Sequence, residues 1–169
     1  MSLHSDLRHQ ARHLATREPK RPRQASLRRA ISTSYYSLFH LLVRDASRFM
    51  VAGNNRDQLR QCLGRAFAHH TMKVLAKRFA SGNCPPKLSP ALKGQPIPTE
   101  LKEVAQTFVD LQQARHEADY DTARRFTRAE AVDLVDQCDQ AFSNWQAVRG
   151  TTSAEVFMVG LLAHDSMKA

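Results

Sequence analysis

The chain has 169 residues, enough for one domain with a substantial core. Its 25 Lys and Arg against 16 Asp and Glu leave a net charge of +9, which favours polyanionic partners. No stretch approaches the roughly 20 apolar residues of a membrane span, the opening MSLHSDLRHQ lacks a secretory apolar run, and Cys62, Cys84 and Cys138 have no metal-type spacing. The expectation is a cytoplasmic protein with reduced thiols, no membrane association and no cofactor.

Residues 3–16 predict a short helix with Leu3, Leu7, Ala11 and Leu14 on one face. His9 and His13 are four apart on it, but Arg8 and Arg12 surround them and no third ligand is near, so they read as solvated and no metal site is predicted. Pro19 and Pro22 then break the chain. Arg17, Lys20, Arg21, Arg23, Arg28 and Arg29 crowd into this stretch, opposed only by Glu18. Arg28 and Arg29 fall in the first turns of the next helix, where the dipole disfavours cations by about 0.3–1 kcal/mol each. Charge placed against its local electrostatics points to phosphate, and Lys20, Arg21, Arg23, Arg28 and Arg29 are candidate nucleic-acid contacts.

Leu27 to Met50 contains no Gly or Pro and predicts a long helix. Leu27, Ile31, Ser34/Tyr35, Leu38, Leu42 and Phe49 form its apolar stripe; Arg29, Thr33, Tyr36 and His40 form a polar one beside it. After Gly53–Asn55, the spacing predicts one helix over 57–79. Its apolar stripe is Leu59, Leu63, Ala66/Phe67, His70 and Val74, with Arg65, His69, Met72 and Ala76 alongside. Arg65 and His69 then share a face, while His70 falls on the core side. An Arg beside a His can serve metal-free RNA cleavage. The imidazole moves the proton at the 2′-hydroxyl or the leaving oxygen, and the guanidinium offsets charge on the phosphorane.

Residues 81–98 hold five of the seven prolines and read as one irregular loop. A helix capped by Thr99 follows to about Tyr120, with Leu101, Val104/Ala105, Phe108 and Leu111 inward. It ends in RHEADYD, where Arg115 and Asp119 can pair at i and i+4 and Tyr120 can stack or hydrogen-bond. Arg115 continues the inward face, so it needs Asp119 or a substrate anion to offset its desolvation. Thr127 and Glu130 form a capping box with Phe126 as a staple onto Ala131. The helix they open carries Ala131, Leu134/Val135, Cys138, Ala141/Phe142 and Trp145 on one face. A short, very apolar segment closes the chain. The pattern predicts an all-α domain over 1–169: an up-and-down bundle of four principal helices with short additional terminal helices.

RRAISTSYYSLFH resembles the helix of HEPN domains in which Arg-Ala-Ile and Tyr-Tyr-x-x-Phe-His recur, and RHEADYD resembles the Arg-x-x-Ala-Asp-Tyr ending of a later helix in a subset of them. The resemblance implies a four- or five-helix bundle that homodimerises and acts on RNA or a nucleotide, in some members beside a cognate antitoxin. Its catalytic Arg, four to six residues, then His usually sits on the later helix. Here Arg115 has His116 directly beside it, and only Arg65-x4-His70 on the earlier helix matches the spacing. Two readings stay open. One is a metal-independent endoribonuclease of toxin or defence type. It would use His69 or His70 for proton transfer, Arg65 and Arg115 for the phosphorane, Asp119 to orient Arg115, and Tyr36, His40 and Tyr120 on the nucleotide. The other is a non-catalytic RNA-, nucleotide- or partner-binding module.

Overall fold

With no Gly or Pro to interrupt it, the stretch Gln24–Met50 forms a single helix of 27 residues in the computed structural model, which describes residues 2–167. In chain order the helices are α1 (Leu3–Thr16), α2 (Gln24–Met50), α3 (Asp57–Gly64), α4 (His69–Ala80), α5 (Thr99–Tyr120), α6 (Arg128–Val148) and α7 (Thr152–Ala163), with a 3-10 turn at Ser89–Leu92. The described residues contain no strand, so the all-α expectation holds at the level of class. None of their helices is long and apolar enough to cross a membrane.

The helix expected over 57–79 is two helices. Gly64 ends α3, and the Arg65 N–H bonds back to the carbonyls of Gln61 and Cys62, both at 3.3 Å. Ala68 is extended at φ −99° and ψ 131° before α4 begins. Gly64 is the weak point in helix propensity. Across the break Phe67 is buried while Ala66 is exposed. Apolar spacing alone does not distinguish the two arrangements. His70, expected on the core side, is exposed, as is Leu59.

Two smaller expectations also shift. α1 buries His4, Ala11 and Ala15, leaving Leu3 59% exposed, so its inward face is rotated from the leucine stripe. The proline-rich loop is packed rather than loose: Pro85, Leu88, Leu92 and Ile97 are buried around the 3-10 turn.

The chain forms two compact units, one of Met1–His40 with Thr107–Ser143, the other of Leu41–Gln106 with Asn144–Ala169. In the first, Ala11, Ala15, Leu27, Ala30, Ile31, Ala118, Phe126, Ala131 and Val135 make a core of small and branched side chains with one aromatic ring. α1 runs antiparallel to α6: Arg12 bridges Asp136 and Asp139 at 2.5 and 2.8 Å, and Arg8 lies 3.5 Å from Asp139. The Cys138 thiol donates to the Ser34 carbonyl at 3.4 Å, and burial pushes it up to about 12, an inert packing group. The capping box forms as expected. The Thr127 N–H donates to the Glu130 carboxylate at 2.7 Å, and the Glu130 N–H donates to the Thr127 hydroxyl at 3.2 Å.

The second unit is built around Trp145, which is fully buried. Its indole N–H donates to Asp45 at 2.8 Å, and its ring sits 6.3 Å from that of Phe157, which packs at 4.9 Å on Phe79. α7 approaches α4 closely because position 160 is glycine. A Cβ there would come within 2.7 Å of Leu75 and 2.9 Å of Leu88.

Two outcomes follow from these contacts. Trp145→Ala is expected to lower stability by about 3–5 kcal/mol in urea unfolding; a loss under about 1 kcal/mol would contradict this packing. The Glu130 carboxyl is held at about 2, below its ordinary 4.5, first by the Thr127 N–H and then by Arg124 and the Thr127 hydroxyl. Its folded value is the lower one. Its stabilising contribution is therefore present above the unfolded value and disappears as pH falls from about 4.5 toward 2. Glu130→Gln is expected to flatten that part of the stability–pH curve; an unchanged acid limb would contradict it.

Candidate functional site

The connection between α1 and α2 carries the densest positive charge, and the structure fixes its shape. Glu18, its one carboxylate, accepts from the Ser26 hydroxyl at 2.8 Å and the Arg23 N–H at 3.4 Å. The Ser26 bond, aided by Arg23 and Arg17, holds its carboxyl below the ordinary value. Arg128 donates to the carbonyls of Glu18 and Pro19. Gln24 pairs with the Phe126 backbone in both directions, at 2.7 and 2.9 Å. Segments 17–23 and 121–127 are thereby sewn together at one end of the first unit. Arg17, Lys20, Arg21 and Arg23 are exposed, and with Glu18 and Pro19 they line an open groove of about 500 Å³. Arg29 and Arg125 are also exposed.

Arg28 behaves differently from its neighbours. Its guanidinium donates to the carbonyls of Ala118 at 2.7 Å and Asp121 at 2.9 Å, and also to that of Arg124. It is a cation at the unfavourable end of α2 that serves the carbonyl end of α5.

A second cluster in the same unit gathers Arg115, Asp119, Tyr36, His40 and Tyr120. Arg115 donates to the Tyr36 hydroxyl at 2.9 Å. Its Nε lies 3.1 Å from Asp119, close enough for an ion pair although the N–H is not aligned on the carboxylate. Ser32 donates to the other Asp119 oxygen. The rings of Tyr36, Tyr35 and Tyr120 surround the guanidinium at 5.4, 5.6 and 5.9 Å. Burial is the largest single influence on Arg115 and opposes its charge. Tyr36, Asp119 and Tyr120 together outweigh it and raise its pKa. Burial likewise raises the pKa of the Tyr35 phenol and lowers that of His40, which stacks at 6.4 Å on Tyr36. This is a fixed cation held by a phenol, a carboxylate and three ring faces; Tyr120, 65% exposed, is its open side.

Arg65, His69 and His70 belong to the second unit. Arg65 is exposed at the end of α3, His69 is the half-buried first residue of α4, and His70 is exposed beside it. The shared helix face expected for Arg65 and His69 does not exist, because the chain breaks between them. Among the described residues, no group of three or more His, Cys, Asp or Glu could hold a metal ion.

Sequence reasoning missed Gln24 and Arg128 as the ties that shape the basic loop. A faint signal was present: Gln24 and Arg28, four apart, put two multi-donor side chains on one face at the start of α2.

Asp119→Ala is expected to lower stability by about 1–2 kcal/mol, because Arg115 loses its carboxylate while remaining largely covered. Denaturant unfolding measures it; stability within about 0.3 kcal/mol of wild type would show that Asp119 is dispensable to the cluster.

No protein-family model, curated protein or solved structure matches this chain.

Proposed function

We propose that this helical protein is RNA-directed, as its resemblance to HEPN domains implies, and that it engages the phosphate backbone through the basic end of its first unit. One observation carries the reading. The 17–23 loop is held in shape by Arg128 and Gln24, its only carboxylate is turned onto Ser26, and Arg17, Lys20, Arg21 and Arg23 are left in solvent. A pre-shaped row of cations loses little freedom on meeting a polyanion and releases counterions when it does. Tyr120, exposed beside the Arg115 cluster, offers a ring face to an unpaired base.

Single-stranded RNA binding is expected to weaken with salt, with a log–log slope of about −0.7 per neutralised phosphate. Replacing Lys20, Arg21 and Arg23 with Ala should flatten that slope by about 2 and leave the melting temperature nearly unchanged. Equal affinity and slope in the triple variant, by fluorescence anisotropy, would overturn the reading.

A second reading, metal-independent cleavage, is favoured by the exposure of both Arg65 and His70 at the junction of α3 and α4. It requires cleavage in excess EDTA that His70→Ala, or separately His69→Ala, abolishes without loss of fold. Cleavage that survives both substitutions, or none across a broad RNA panel, leaves binding as the function.

A further inference from the structure

The second unit contains a separate concentration of positive charge. Arg44, Asp45, Arg48 and Phe49, near the end of α2, line a groove of about 340 Å³ with Arg149 and Gly150, which follow α6. Positions 44 and 48, and likewise 45 and 49, are one helical turn apart, so α2 presents two cations, a carboxylate and a ring to one place. Asp45 is only 11% exposed. One of its oxygens accepts the Trp145 indole N–H at 2.8 Å and has Arg149 at 3.9 Å, while the other has Arg44 at 3.4 Å. The buried indole thus fixes a carboxylate, and the carboxylate holds two guanidiniums at the groove.

Charge is not balanced there. Arg48 is exposed and has no ion pair among the described residues. The carbonyl ends of α2 and α6 contribute about half a negative charge each. Three guanidiniums against one carboxylate and two helix ends leave an excess of about one positive charge. Phe49, 41% exposed, adds a bare ring to the same wall. At Gly150 an added Cβ would meet nothing within 4 Å, so the wall stays open on that side.

We propose that this groove binds an aromatic phosphomonoester, with the phosphate on Arg48 and Arg149 and the flat ring against Phe49. Guanidinium forks match phosphate oxygens, and a stacked ring supplies the apolar half of recognition. The volume suits a molecule of mononucleotide or phosphotyrosine size, since small-ligand sites begin at about 300 Å³. The groove is lined by residues of the second unit, whereas the 17–23 loop belongs to the first.

The test uses the full chain and its single tryptophan, whose indole is bonded to Asp45 and reports on the groove. Adenosine monophosphate, O-phosphotyrosine, inorganic phosphate and adenosine are titrated separately, by Trp145 emission and by calorimetry. At least one of the two aromatic phosphomonoesters is expected to saturate, and the tighter identifies the natural source. Inorganic phosphate should bind more weakly and adenosine not at all. Arg48→Gln and Arg149→Gln should each weaken binding about 10-fold or more, because each removes a charge-assisted hydrogen bond. Phe49→Ala should bring the ester down to the affinity of inorganic phosphate. The Lys20, Arg21 and Arg23 triple alanine variant should bind as wild type, which separates failure here from failure of RNA binding. The proposal is overturned if neither ester saturates, if adenosine binds as tightly as the esters, or if Arg48→Gln, at an exposed position, leaves affinity unchanged.

Discussion

Arg28 at the end of α5 is the contact on which the basic face of the first unit depends. A helix leaves its last carbonyls without partners, and their combined dipole favours a cation. Arg28 supplies both at once, reaching from α2 to Ala118, Asp121 and Arg124. Gln24, one turn earlier, holds the Phe126 backbone, and Arg128 returns the favour to Glu18 and Pro19. These three long, multi-donor side chains set the spacing of two loops. The free cations of 17–23 inherit a defined arrangement from that framework.

The arginines of this chain therefore do two kinds of work. Arg28 and Arg128 are spent on backbone carbonyls, Arg12 and Arg124 on carboxylates, Arg60 on the carbonyl of Val51 and on Asp57, and Arg115 on a phenol, a carboxylate and aromatic faces. Arg17, Arg21, Arg23, Arg29 and Arg125 remain in solvent, as does Lys20. The net charge of +9 does not distinguish these roles. Geometry does, because a guanidinium whose donors already face protein oxygens is a strut, while one facing water is available to phosphate.

Legibility in the sequence followed the same division. α2, α5 and α6 were readable because each is long and periodic, and the start of α6 carries reciprocal capping chemistry at Thr127 and Glu130. Trp145 was readable as core because it closes the α6 stripe. The break after Gly64 was not, since Ala66 and Phe67 satisfy the apolar pattern in either arrangement and the gain from burying Phe67 is tertiary. α1 misled in part: Ala11 is buried as expected and Leu14 packs at the core's edge, but His4 and Ala15 take the inward positions that Leu3 was expected to share. At the candidate site, the Arg115–Asp119 pairing was legible from i,i+4 spacing. The Tyr36 bond, the Ser32 bond and the Arg28 carbonyl clasp join residues 79 to 96 positions apart, a separation no local pattern encodes. Arg28 sits against the α2 dipole, and its bonds to the carbonyls at the end of α5 give that position a structural use.

The most direct measurement compares two single substitutions in that cluster, Arg28→Gln and Arg21→Gln, for both RNA-binding salt slope and melting temperature. If Arg28 is the strut and Arg21 a phosphate contact, Arg21→Gln flattens the slope by about 0.7 and leaves the melting temperature in place. Arg28→Gln then lowers the melting temperature and leaves the slope of the folded protein intact. The reverse pattern, a flattened slope with unchanged melting for Arg28→Gln and lost stability for Arg21→Gln, would contradict the account.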